Sequence, residues 1–114
     1  MREMILEELL YLGFKPHTFG TSDTVEALFL LLSGKADEED LLHGLYEKVA
    51  EKRNTTSRAV ERNIRYSIET VWTRGNLPAI EQRFGYTVLA EKGKPTNRAF
   101  LAQMVENLKR KRTA

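Results

Sequence analysis

The residues best suited to chemistry lie between Asn54 and Arg74. Arg58, Glu61, Arg62, Arg65 and Tyr66 fall on or beside one side of a helical pattern. Arginine donates two parallel hydrogen bonds to guanine O6 and N7, and glutamate accepts from cytosine N4. These residue types therefore suit the reading of base edges in double-stranded DNA, where a good bidentate contact discriminates by about 1–3 kcal/mol. Lys52, Arg53, Lys94 and Arg98, with the polar groups of Thr55, Thr56, Thr96 and Asn97, suit phosphates, which set register without reading sequence. The competing reading is a solvated face in which these charges pair at i,i+3 or i,i+4 spacing, as on most amphipathic helices.

The elements that must position them are helices. Apolar residues recur at helical rather than alternating spacing. A first helix is predicted from about Arg2 to Leu12, with Ile5, Leu6, Leu9, Leu10 and Leu12 on its buried side and Gly13 as its stop. Phe14–Gly20 reads as a connector with two aromatic anchors. A second helix is predicted to start near Ser22–Asp23, where Asp23 and Glu26 have capping-box spacing, and to end at Ser33-Gly34. The third opens in the acidic group Asp37–Asp40 and runs through Leu41, Leu42, Leu45, Tyr46 and Val49 to about Arg53.

The polar break Asn54-Thr55-Thr56-Ser57 precedes a fourth helix, from about Ser57 to Arg74. Its Val60, Ile64, Ile68, Val71 and Trp72 share one side and Arg58, Arg62, Tyr66 and Glu69 the other. Trp72 reads as core. Pro78 opens a short fifth helix, Leu77–Phe84. Gly85–Pro95 is a loop or ribbon, with a small hairpin near residues 85–92 suggested by Tyr86, Val88 and Leu89. Thr96 or Asn97 caps a sixth helix that buries Phe100, Leu101, Met104, Val105 and Leu108, and Lys109–Arg112 reads as a frayed tail. The expected fold is all-α, one domain of about six helices over residues 1–114, with a helix-turn-helix at its centre.

Other chemistry is poorly supported. The chain has no cysteine, which excludes disulfides and thiolate chemistry. His17 and His43 have no partner at metal-ligand spacing. Asp37–Asp40 lacks the alternating oxygen ligands and turn glycine of a calcium loop. No Gly-rich phosphate loop and no Ser/His/Asp arrangement occurs, so neither an enzyme nor a cofactor is expected.

Charge supports a polyanion partner. Residues 1–51 hold 4 Lys/Arg and 11 Asp/Glu, a net of −7, whereas residues 52–114 hold 14 and 5, a net of +9. A basic half joined to an acidic half is also what a soluble dipolar domain would show. The longest apolar run, Ala27–Leu32, is far short of the roughly 20 residues of a membrane span. The start Met1-Arg2-Glu3-Met4 lacks an apolar signal, so no membrane association and a cytoplasmic location are the expectations.

Several of these strings together resemble one family. Asn54-Thr55-Thr56, Val60-Glu61-Arg62, Ile64-Arg65, Ile68-Glu69, Trp72 and Arg74-Gly75-Asn76 look like the helix-turn-helix in the C-terminal effector domain of stage 0 sporulation protein A, a response regulator. Phe84-Gly85-Tyr86-Thr87-Val88, Lys94-Pro95-Thr96-Asn97 and Phe100 continue the likeness without a change of length. The resemblance implies a six-helix fold, recognition of a TGTCGAA-like box by head-to-tail dimers on tandem sites, and activation or repression of transcription. It implies that Glu61, Arg62 and Arg65 face the groove. It also implies that the Ala79–Val88 region, with Ala79, Phe84 and Val88, meets the sigma subunit of RNA polymerase.

The chain departs from the family pattern at two places. Ser57-Arg58-Ala59-Val60-Glu61-Arg62 replaces a usual Ala-Ser-Arg-Val-Glu-Arg, so Ala59 stands at a base-reading arginine position, and Tyr66 stands where relatives carry histidine. Nothing resembles the receiver domain that precedes the family's effector domain, so the expectation is an excised effector domain or a stand-alone protein. The alternative reading is a receiver-less protein-interaction module that modulates a full-length regulator or RNA polymerase. RNA binding through Lys109–Arg112 is the weakest of the three.

Overall fold

The computed structural model describes residues 1–36, 44–85 and 93–113. Within them the chain is all-α: α1 (Arg2–Leu12), α2 (Phe19–Leu32), α3 (Gly44–Arg53), α4 (Ser57–Arg74), α5 (Leu77–Phe84) and α6 (Asn97–Thr113), with no strand among the described residues. The expected opening of the third helix at Asp37–Asp40, with Leu41, Leu42 and His43, lies outside the described residues, as does the hairpin suggested by Tyr86, Val88 and Leu89.

Helix ends follow the local chemistry. Gly13 takes φ 115°, and its N–H and that of Phe14 return to Leu10 O (3.1 Å) and Leu9 O (3.0 Å). This paired closure satisfies two carbonyls that α1 would otherwise leave open. Asn54 does the same for α3 at φ 56°, with Thr55 N–H on Ala50 O at 3.0 Å; asparagine is among the few non-glycine residues that enter this region readily. Thr56 then caps α4, its hydroxyl accepting from Ala59 N–H at 3.1 Å. Asn76 caps α5, and Thr96, rather than Asn97, caps α6 through Ala99 N–H.

Three expectations about the helices are corrected. α2 begins at Phe19, before Ser22–Asp23, because the Thr18 hydroxyl accepts from Thr21 N–H and is itself tied to Lys15 O. Asp23 therefore lies inside the helix and is fully buried. α1 buries Ile5, Leu9 and Leu12 as expected, but Leu10 is exposed and Leu6 only half-buried; the remaining buried position belongs to Glu8. The basic tail is helical through Thr113 rather than frayed. Its Lys111 reaches Glu8 (3.1 Å), which Arg83 of α5 also contacts, so one carboxylate joins α1, α5 and α6.

The core is continuous and draws on all six helices. α2 is its central element, packed against α1, α3, α4 and α6. Trp72 is half-buried and packs edge-on against Phe84 (5.0 Å) and Phe100 (6.0 Å), while Phe84 stacks on Phe100 at 5.4 Å. Phe14 completes the group at 5.6 Å from Phe100. The second expected anchor of that connector, Phe19, is instead 70% exposed. The start of α5 is stitched to the end of α1, with Asn76 N–H on Leu12 O (3.0 Å). There Gly13 and Gly75 pass so closely that a Cβ on Gly13 would lie 2.7 Å from Gly75 Cα.

Candidate nucleic-acid interface

α4 presents its polar side because its apolar side is firmly held. Val60, Ile64, Ile68 and Val71 are buried at helical spacing. At about 100° per residue, the opposite side centres on Arg62 and Tyr66, both exposed, Tyr66 by 69%. Glu61, Arg58 and Arg65 turn toward the flank where α6 begins, and there they line one cavity with Lys94, Thr96 and Arg98. Asn63, Ser67 and Thr70 turn toward the start of α2.

Two braces fix α4 against its neighbours. At the first, Gly20 of α2 meets Ser67 so closely that a Cβ there would lie 1.8 Å from Ser67 Oγ and 2.8 Å from Asn63 O. Beside that crossing, the buried Asp23 carboxylate receives the Arg53 guanidinium from α3 and Asn63 Nδ2 (3.1 Å) from α4. The second brace is Asn97, whose Nδ2 donates to Tyr46 Oη (3.2 Å) and Glu61 O (3.1 Å), joining α6 to α3 and α4. Burial is the main influence on the Tyr46 hydroxyl and pushes it above its ordinary value, outweighing the opposing Asn97 hydrogen bond.

These contacts sort the expected site residues. Arg58, Arg62 and Arg98 are exposed and make no ion pair among the described residues. Arg65 pairs with Glu61 (3.1 Å) and Lys94 with Glu69 (2.5 Å). The Lys94 hydrogen bond, more than its charge, holds the Glu69 carboxyl below its ordinary value. Both pairs are exposed, so solvent screens them and their groups can exchange partners at little cost. Thr56 and Thr96 cap helices through their oxygens and keep a hydroxyl hydrogen to donate; Thr55 is half-buried.

Three expected phosphate ligands are placed otherwise. Arg53 is held by Asp23 and stacks over Phe19 at 4.7 Å. A fully buried carboxylate requires a partner, which is why this guanidinium turns inward. Lys52 pairs with Glu26 (3.1 Å), which also takes Arg2 (2.8 Å), away from the flank of Arg58 and Arg98. Both amide hydrogens of Asn97 are used inside the fold. Of the residues expected to meet polymerase, Ala79 is fully buried and Phe84 lies half-buried in the aromatic stack, while Val88 lies outside the described residues. The exposed residues of α5 are Leu77, Pro78, Glu81 and Gln82.

Sequence reasoning read Phe14–Gly20 as a connector but missed that it flanks α4. Lys15, Thr18 and Phe19 line a groove with Arg62 and Tyr66 along the other flank of α4. The only local signal was Thr18 followed three residues later by Thr21, a spacing for which a hydroxyl cap is one explanation among several. Among the described residues no group of His, Cys, Asp and Glu has the geometry of a metal site, and no helix is long and apolar enough to cross a membrane.

Comparison with known families places the chain. The family described as sporulation initiation factor Spo0A C terminal matches residues 5–108, from the first turn of α1 to the last buried leucine of α6. It is a family of DNA-binding regulators of transcription in sporulation, not an enzyme family. The match covers nearly the whole chain, and the protein therefore belongs to the Spo0A C-terminal domain family.

Proposed function

We propose that α3, the Asn54–Thr56 turn and α4 work as a helix-turn-helix that seats α4 in the major groove of duplex DNA, and that the chain acts as a single effector domain. The observation that carries this reading is the solvent-facing side of α4, where Arg58 and Arg62 stand exposed beside Tyr66 on a helix braced by Asp23 and Asn97. A helix with its side chains is about 10–12 Å across and the major groove about 12 Å wide, so such a helix enters whole. Arg62 and Tyr66, at the centre of the exposed side, read bases, with Glu61, Arg65 and Arg58 reaching edges on one side of the groove. Lys94, Thr96, Arg98 and Thr56 hold phosphates.

Arg58 does not replace the arginine that the family carries at position 59. The two positions lie about 100° apart on the helix, and Arg58 lines the cavity of Lys94 and Arg98. The preferred box is therefore TGTCGAA-like, with the preference relaxed at the base that Ala59 leaves unread. Two copies bind head to tail on tandem boxes. Contact with the sigma subunit uses the exposed side of α5, around Leu77, Glu81 and Gln82, in place of the buried Ala79.

Fluorescence anisotropy with a tandem-box duplex and a scrambled duplex, each at two salt concentrations, tests the reading. Preference for the boxes, with affinity falling steeply as salt rises, is expected, because phosphate contacts release counterions. Equal salt-sensitive binding to both duplexes would place the specificity elsewhere. No binding at low salt would overturn the reading in favour of a protein-interaction module.

A further inference from the structure

We infer that the α1–α2 connector is a second DNA-backbone contact, in which Lys15 and Phe19 hold the strand opposite to the one held by Lys94 and Arg98. The inference rests on the reading of α4 given above. A helix that fills the major groove has a sugar-phosphate wall along each flank. One flank of α4 is furnished by the residues before and within the first turn of α6. The other is furnished by the groove that runs between α4 and the start of α2.

Three features of that groove suit a phosphate wall. Its charged residues are Lys15, Arg62 and Arg74 against one carboxylate, Glu69, and Glu69 is already paired with Lys94. It is therefore electropositive although it belongs partly to the acidic half of the sequence. Phe19 offers an apolar ring, 70% exposed, at the rim of the groove. That ring is held in place, because the Arg53 guanidinium stacks on it at 4.7 Å while gripping Asp23. A fixed, exposed ring beside a basic groove matches the alternation of deoxyribose and phosphate along one strand. The Lys15 backbone is anchored too, since its carbonyl accepts from the hydroxyls of Thr18 (3.1 Å) and Thr21 (2.7 Å).

The register also agrees. Lys94 reaches over to Glu69, near the centre of the exposed side, and Gly20, the neighbour of Phe19, meets Ser67 on the connector flank. Ser67 and Glu69 are about 3 Å apart along the helix axis, so the two contacts lie at the same level of α4. A helix gripped on both walls is fixed in depth and tilt, which a one-sided clamp does not achieve.

The test uses the whole chain and duplexes carrying one neutral methylphosphonate at successive positions, first on one strand and then on the other. Lys15→Ala is expected to weaken cognate and scrambled duplexes alike, by about 3–10-fold, and to lower the salt slope by about one. Phe19→Ala is expected to weaken both without changing the slope. Thermal melting of each variant near the parent value is expected, as both side chains are exposed. The methylphosphonate that no longer matters to Lys15→Ala must lie on the opposite strand from the one silenced by Arg98→Ala. Unchanged affinity and slope in Lys15→Ala and Phe19→Ala, with Arg98→Ala weakened, would overturn this inference and leave the DNA-binding reading standing. Silenced positions that both fall on one strand would overturn it in the same way. Failure of the parent chain to bind any duplex would remove both.

Discussion

Arg53, the last residue of α3, closes with two nitrogens on the carboxylate of Asp23, which lies in the second turn of α2 and is fully buried. Asn63 of α4 donates to the same carboxylate. The angle between α3 and α4 is thus set through a charge on a third helix. Removing one partner of a buried ion pair leaves an uncompensated charge and costs about 3–5 kcal/mol. Arg53→Ala is therefore expected to lower the unfolding free energy by about that amount in urea titrations. A loss of about 0–1 kcal/mol would mark the pair as no stronger than an exposed one and contradict its role as a brace.

The α2–α4 crossing gives a prediction of sign. Gly→Ala inside an exposed helix stabilises by about 1 kcal/mol, because alanine has the better helix propensity. At Gly20 the added carbon would meet Ser67 Oγ at 1.8 Å and, less yieldingly, the Asn63 carbonyl at 2.8 Å. Gly20→Ala is expected to destabilise by about 1–3 kcal/mol, as overpacking does. It is also expected to reduce DNA affinity in proportion to the shift of α4. A rise in melting temperature would mean that the helices are not held at this distance.

Acid sensitivity follows from Glu8 and Glu26. Burial opposes the Glu8 charge and is the largest single influence, yet the hydrogen bonds and charges of Arg83 and Lys111 together hold its carboxyl below the ordinary value of 4.5. Glu26 is held below the same value, first by the Arg2 hydrogen bond and against desolvation. A carboxylate whose folded pKa is depressed adds stability that is complete above its unfolded pKa and is lost as pH falls through the folded one. Stability is therefore expected to be flat above about pH 5 and to drop below about 4.5. In Glu8→Gln the acid limb is expected to flatten relative to the parent chain. An acid limb of unchanged slope would show that the Glu8 cluster does not drive the loss.

The sequence was legible where a local signal had one cause. Capping residues and apolar spacing placed α4 and α5 at their observed limits, and the buried set of α6 followed from its stripe of Phe100, Leu101, Met104, Val105 and Leu108. It was not legible where one signal has two causes. Asp23 three residues before Glu26 looks like a capping box, but the same spacing occurs within a helix, and only the packing of α3 and α4 shows that Asp23 is interior. Arg53, Lys52 and Asn97 looked like phosphate ligands by residue type. Each is claimed by a group far away in sequence, respectively Asp23, Glu26 and the Tyr46–Glu61 junction. The helical tail was missed for the same reason, since Glu8 lies 103 residues from Lys111.

Asn97 and Arg98 are neighbours in sequence with different assignments. Asn97 is a brace whose amide satisfies Tyr46 Oη and Glu61 O, whereas Arg98 is exposed on the rim of the cavity that holds Arg58 and Arg65. Asn97→Ala is expected to reduce stability by about 1–3 kcal/mol through the unpaired groups it leaves, with the salt slope of DNA binding unchanged. Arg98→Ala is expected to leave stability within about 0.5 kcal/mol and to lower the slope by about one. Parallel urea titrations and salt-dependent anisotropy separate the two. The reverse pattern would exchange their assignments.

Arg62 carries the sharpest claim on sequence reading. It stands at the centre of the exposed side of α4, without an ion pair among the described residues, so nothing needs to be broken before it meets a base. Arg65, by contrast, must first leave Glu61. Arg62→Ala is therefore expected to reduce discrimination between cognate and scrambled duplexes by about 1–3 kcal/mol, concentrated at one or two base pairs. Lys94→Ala is expected to weaken both duplexes by the same factor, because a phosphate contact carries no sequence information. A binding-site selection with each variant makes the comparison direct. If Arg62→Ala loses equal affinity on every sequence, this arginine is a phosphate ligand, and base reading passes to Tyr66 and the Glu61–Arg65 pair.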